Sequence, residues 1–203
     1  MDADTESYIL LLLGDGNLPT GSFVASSGLE SYEKHGFFGL PQSQTADSPP
    51  VKTGAIISFI RDSVQAYAHS SLPFILGAYE ACETLRSHDN ADSPLPDALE
   101  SVIQLDSLYE AMTLNHVTRR ASTSQGVALL TLLLKGLVLP AWMGTGEPGK
   151  RRVEALADSF KLEIRRGAAN GHLPVCWGIL TAALGLSQSE SFNTSPAIST
   201  RLI

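Results

Sequence analysis

Apolar residues recur at helical spacing along most of this chain, and the stretches between them collect glycine, proline and short polar residues. Tyr8 to Leu13 is an apolar run cut off by Gly14, Asp15, Gly16, Asn17 and Pro19, which predicts a first helix ending there. Ser22 can cap a second helix carrying Phe23, Leu29 and Tyr32, with Gly36 as its stop. Leu40 to Lys52 reads as a polar, proline-containing surface loop. Ile56, Ile60, Val64 and Tyr67 then mark a helix, and Pro73 is read as the first turn of a separate helix through Leu85, so that two helices stack here. Beyond a second loop over Ser87 to Pro96, Asp97 can cap a helix whose stripe is Leu99, Val102, Leu105, Tyr109 and Met112.

Val127 to Leu139 is apolar nearly all round, the pattern of a buried central helix or a membrane span. The run falls short of the ~20 apolar residues a bilayer needs and contains Lys135 and Gly136, so the buried helix is expected. A glycine-rich turn over Gly144 to Gly149 precedes a helix with Val153, Leu156, Phe160 and Ile164 on one face and Arg151, Arg152, Lys161, Arg165 and Arg166 elsewhere. Pro174 opens a last helix through Trp177, Leu180 and Leu184, stopped at Gly185. With no strand alternation, internal repeat or heptad run, the expected fold class is all-α, a single-domain bundle of about seven or eight helices.

Composition narrows the function. At 203 residues with 43% hydrophobic and 17% charged side chains, the chain supports one sizeable core. A net charge of -7 argues against nucleic-acid binding, which needs a basic footprint, and points to protein or small-molecule partners. Cys82 and Cys176 form no C-x-x-C pair, which suits a reducing compartment. Met1 to Glu6 is acidic and the apolar run behind it is short, so no secretory signal is expected and a cytoplasmic location is the reading.

Candidate chemistry is sparse. Gly144-Thr145-Gly146-Glu147-Pro148-Gly149-Lys150-Arg151 comes within one residue of a phosphate-binding loop, but Arg151 stands where a hydroxyl should meet Mg²⁺ and Pro148 removes a backbone donor. It is the basis of the alternative reading, a small-molecule or nucleotide-binding helical protein using the Gly144 to Lys150 turn. There is no G-x-S-x-G elbow and no H-E-x-x-H, so an enzyme is the weaker class. His172 and Cys176 stand four apart, and one helix face could offer both to Ni²⁺ or Zn²⁺. Two ligands do not close a metal site, and a buried cysteine beside a helix-end histidine is the plainer meaning. Arg119 and Arg120, beside Asn115 and His116, could serve a partner's carboxylates or simply form a solvated helix face. Glu30 and Tyr32 open a helix beside a glycine-rich loop, where they could be exposed for recognition or serve as a cap and a half-buried core ring.

The pattern Leu18-Pro19-x-Gly21-x-Phe23-x-x-Ser26-x-Gly28-Leu29-Glu30 resembles the N-terminal signature of the urease accessory protein family UreF. Leu105-Asp106 with Arg119, Gln125 and Gly126, and then Gly171-His172-Leu173-Pro174-Val175 with Gly178 and Leu184-Gly185, resemble the same family in the same order. The resemblance implies an all-α adaptor or chaperone, with a homodimer and the regulation of a partner GTPase among its expectations. Such a protein has no catalysis of its own and binds the accessory proteins UreD and UreG to support nickel insertion into apo-urease. It further implies no directly bound cofactor, nickel being handled by the complex, and no membrane or nucleic-acid partner.

On this reading residues 1 to 186 form the UreF-like domain, and Ser187 to Ile203 form a serine-rich tail with little to pack, expected to be disordered, where the family continues through further helices. The helix from Pro174 to Leu184 carries Val175, Trp177, Ile179, Leu180 and Leu184 on more than one face. With only a polar tail behind it, that helix is expected to be left partly uncovered and the chain to be weakly stable and prone to self-association.

Overall fold

A computed structural model describes residues 3–13, 28–37, 51–87, 95–136 and 148–187. The described residues form seven helices: α1 (Ala3–Leu13), α2 (Leu29–Lys34), α3 (Val51–Ser87), α4 (Leu95–Met112), α5 (His116–Leu134), α6 (Pro148–Arg166) and α7 (Leu173–Leu184). No strand occurs among them, so the all-α reading holds. Ser22, most of the Leu18 to Glu30 stretch, Gly144 to Glu147 and the segment from residue 188 onward lie outside the described residues.

Local chemistry explains several helix ends. Asn115 has extended backbone and its Oδ1 accepts the N–H groups of Val117 (2.9 Å) and Thr118 (3.3 Å), capping α5. Gly136 at φ 89° ends the turn after α5, and Gly185 at φ 70° ends α7, both in the left-handed region that glycine enters cheaply. Two starts fall earlier than the sequence suggests. Asp97 lies inside the first turn of α4 rather than at its cap, because Pro96 is tolerated before an N–H partner is needed. Pro148, Gly149 and Lys150 likewise belong to the first turn of α6, so the stretch expected as a glycine-rich turn ends in helix.

The two stacked helices expected around Pro73 are one. α3 runs unbroken for 37 residues with Pro73 inside it. Proline withholds the bond to the carbonyl of His69, and both Pro73 and His69 are exposed, so water can satisfy that carbonyl. Beyond the proline Phe74, Ile75, Ala78, Tyr79, Cys82 and Leu85 are all buried, and their stripe packs this half of α3 into the core.

The expectation for the last helix is overturned. Every residue of α7 from Leu173 to Leu184 is buried. α7 packs most extensively on α3, then on α5, and also meets α6 and α4. The centre expected over Val127 to Leu139 is therefore α7, while α5 flanks it through Leu129, Leu130 and Leu133. The helices that cover α7 precede it in the chain. Close approach is built into the contact: a Cβ on Gly178 would lie 2.4 Å from the Ile75 carbonyl oxygen and 3.0 Å from the Tyr79 nitrogen. At the far end of α7 the Tyr79 hydroxyl donates to the Leu186 carbonyl at 2.6 Å.

Gly178→Ala is accordingly expected to destabilise the fold by about 1 to 3 kcal/mol, the usual cost of forcing atoms into a full core. Urea titration of the purified chain would measure it, and an unchanged midpoint would show that α7 can move off α3 freely.

Candidate functional site

The turn between α6 and α7 gathers side chains from three helices. α6 ends as Gly167 takes φ 78°, its N–H donating to the Ile164 carbonyl at 3.1 Å. The chain then doubles back through Asn170 and Gly171, and His172 takes the extended conformation of an N-cap without capping through its own side chain. The amides of this turn and of the first turn of α7 therefore need outside acceptors. Asp106 of α4 supplies them: Oδ2 accepts from the N–H of Asn170 (2.6 Å) and Gly171 (3.1 Å), and Oδ1 from that of His172 (2.7 Å). Ser122 of α5 accepts the next one, from Leu173, at 3.0 Å. Asp106 is 0% exposed, and a carboxylate so deep is tolerable because three amides hold it and the positive end of α7 faces it.

His172 extends the network outward. It is 0% exposed, with Nδ1 3.2 Å from Ser122 Oγ and Nε2 2.7 Å from Glu110 Oε2. A carboxylate oxygen can only accept, so the Nε2 nitrogen carries a proton. The other oxygen of Glu110 pairs with Arg119 Nη1 at 3.0 Å, and Arg119 Nε donates to the Thr113 carbonyl. Serine, histidine and glutamate thus stand in the order of a hydrolase relay, but Ser122 is buried and its oxygen already accepts the Leu173 N–H. These groups hold a turn; they do not present a nucleophile.

Gly126 allows α5 to reach the turn, since a Cβ there would lie 2.2 Å from the Gly171 carbonyl oxygen. Gly171, at φ 78°, is itself packed against Ile164 and Val127.

Of the residues singled out in the sequence, His172 and Cys176 are indeed one helical turn apart, Cys176 N–H donating to the His172 carbonyl at 3.1 Å. The imidazole is engaged at both nitrogens, and burial, with the Asp106 charge adding to it, pushes the Cys176 thiol well above its ordinary range. Among the described residues no three His, Cys, Asp or Glu side chains group as a metal set. Arg119 belongs to the network, whereas Arg120 is exposed beside it. Glu30 is exposed on α2, and Tyr32 is half-buried, its ring 4.9 Å from Phe37 and 5.0 Å from Phe59 of α3. Lys150, from the phosphate-loop lookalike, lies on α6 with Nζ 4.0 Å from Glu154.

Sequence reasoning gave no role to Asp106, Ser122 or Glu110. One signal was present. Asp106 stands four residues after Val102 and three before Tyr109, a charged residue in a register whose other members are buried.

Asp106→Asn is expected to cost about 2 to 4 kcal/mol, because it removes the charge that three amides share and turns an NH₂ group toward donors. Thermal unfolding against wild type would measure it; a change below ~0.5 kcal/mol would show the turn to be held by packing alone. The thiols give a second expectation. Burial, with Glu83 adding to it, raises Cys82 from 9.0 to about 12. Burial likewise raises the Tyr79 phenol from 10.0 to about 12. Both groups ionise more readily unfolded, so stability is full below pH 9 and falls as pH rises from 9 toward 12. At pH 8 a disulfide-exchange reagent should label Cys82 and Cys176 only as fast as the protein unfolds, and a rapid burst would contradict their burial.

Residues 52–194 match the family model UreF. The chain is 36% identical over 202 residues to "Urease accessory protein 6" of Cryptococcus neoformans var. grubii, covering 89% of this chain and 63% of that protein. It is 28% identical over 186 residues to an "Uncharacterized urease accessory protein UreF-like" of Schizosaccharomyces pombe, covering 92% and 64%. It is 34% identical over 116 residues to "Urease accessory protein F" of Oryza sativa subsp. indica, covering 57% and 34%. The chain thus spans less than two thirds of the length of these relatives, and no solved structure matches it. With its family model matched across α3 to α7, the chain belongs to the UreF family of urease accessory proteins.

Proposed function

We propose that this chain is a urease-assembly adaptor that binds UreD and UreG, so that the assembly can insert nickel into apo-urease. Membership of the UreF family carries the reading. Nickel is cargo here, handled by the assembled complex, and the chain contributes surface and no bound cofactor. It works in the cytoplasm; none of the described helices is long and apolar enough to cross a membrane. It hydrolyses no nucleotide itself and acts on the partner GTPase.

The α4–α5 corner supports a partner-binding role. Leu108, Met112 and Val117 are exposed there and Leu114 is 86% exposed, beside exposed His116 and Arg120. Exposed apolar side chains rimmed by arginine and histidine have the composition of an interface. Glu30 and Tyr32 on α2 form a second patch in this reading. Arg119 has two duties, since its ion pair ties the corner to the His172 network.

Capture of purified UreG and UreD by the tagged full chain tests the proposal. Arg120→Ala and Glu30→Ala are expected to weaken capture several-fold with the melting temperature within ~2 °C of wild type, as surface substitutions leave stability nearly unchanged. Arg119→Ala should weaken capture and also cost ~1 kcal/mol or less of stability, because its ion pair is partly exposed. Full capture by all three variants would remove these residues from the interface; no capture by the wild-type chain would defeat the adaptor reading.

A further inference from the structure

α1 is held to the rest of the molecule in an unusual way. Thr5, Glu6, Ile9 and Leu13 form its inward stripe, with Ile9 only 1% exposed. Its outward side is also apolar: Tyr8 and Leu12 are nearly half exposed and Leu11 is 64% exposed. Yet α1 runs along none of the other helices for more than a short stretch, in contrast to the α3, α5 and α7 contacts. Its side chains reach the core while its backbone stays apart.

One polar tie to the body is at Glu6. Its Oε1 accepts from the N–H of Ser187 at 2.7 Å and from the hydroxyl of Ser187 at 2.9 Å. Glu6 is 6% exposed, so these two donors help offset the desolvation of a carboxylate. The same segment is pinned from the other side, because the carbonyl of the neighbouring Leu186 accepts from Tyr79 of α3. Ser187 is therefore fixed independently of α1, and α1 is fastened onto it.

We propose that α1 is a releasable strap and that the Glu6–Ser187 contact is its latch. If the latch fails, a buried carboxylate loses its donors, and the cheapest relief is for α1 to lift into water. α7 loses little cover by this, because α3, α5, α6 and α4 surround it. Lifting bares the seats of Ile9 and Leu13 and frees an apolar helix. The latch is sensitive to charge: a second anionic group at position 187 would face Glu6 at hydrogen-bonding range, where like charges repel.

Native-state hydrogen exchange on the full chain tests this. Ser187→Glu should speed exchange of peptides covering residues 3–13 by about tenfold or more, the equivalent of losing a charge-assisted bond, while those covering residues 173–184 stay within about twofold of wild type. Ser187→Ala, which adds no charge, should give a smaller loss confined to the same residues. Adding Glu6→Gln to Ser187→Glu should restore part of the protection by removing the repulsion. Unchanged protection of α1 in Ser187→Glu would overturn the proposal, and so would loss of protection in α7 to the same degree as in α1.

Discussion

α7 is apolar on all sides and every one of its residues is buried, and the remaining helices are arranged to meet that demand. Covering each of its large side chains is worth ~1.5 to 3 kcal/mol, so one uncovered face would forfeit a large part of a domain's net stability of ~5 to 15 kcal/mol. α3 and α5 provide most of the cover, and both contacts depend on glycine. Gly178 brings the α7 backbone against that of α3, and Gly126 lets α5 touch the turn that leads into α7.

Burying a whole helix creates a second problem at its ends, where backbone groups have no partners within the helix. Gly185 turns the chain at one end. At the other end the sequence offers Gly-His-Leu-Pro, which has no side-chain cap of its own. Asp106 and Ser122 act as the cap from two other helices, and His172 then links that cap to Glu110 and Arg119 near the surface. Buried polar networks of this kind are costly when incomplete and specific when complete, so the three helices are held in one register.

This arrangement divides the molecule in a way that suits a protein working by contact. Cys82, Cys176, His172 and Ser122 are all buried, and the last two are hydrogen-bonded to each other. What faces outward is apolar and cationic at the α4–α5 corner and mixed on α2. Arg119 is the link between the two, since it faces the corner and grips Glu110 of the network.

Features that depend on a few neighbouring residues were legible in the chain itself. The all-α class, the stop at Gly185, the start near Pro174 and the amphipathic stripes of α4 and α6 follow from local dihedral preferences and a 3.6-residue period, which act within a turn or two. The signature residues around Asp106, Gly126 and Gly171 were visible as a resemblance, but nothing in their spacing said that they meet. Only the tertiary structure decided that Pro73 lies inside α3, where the His69 carbonyl it cannot bond is on an exposed face open to water. It also decided that α7 is central and covered, and that Asp106 caps a turn more than sixty residues away. Those outcomes depend on which surfaces come together, and burial free energy is set by the neighbour found across the core, which a one-dimensional pattern does not contain.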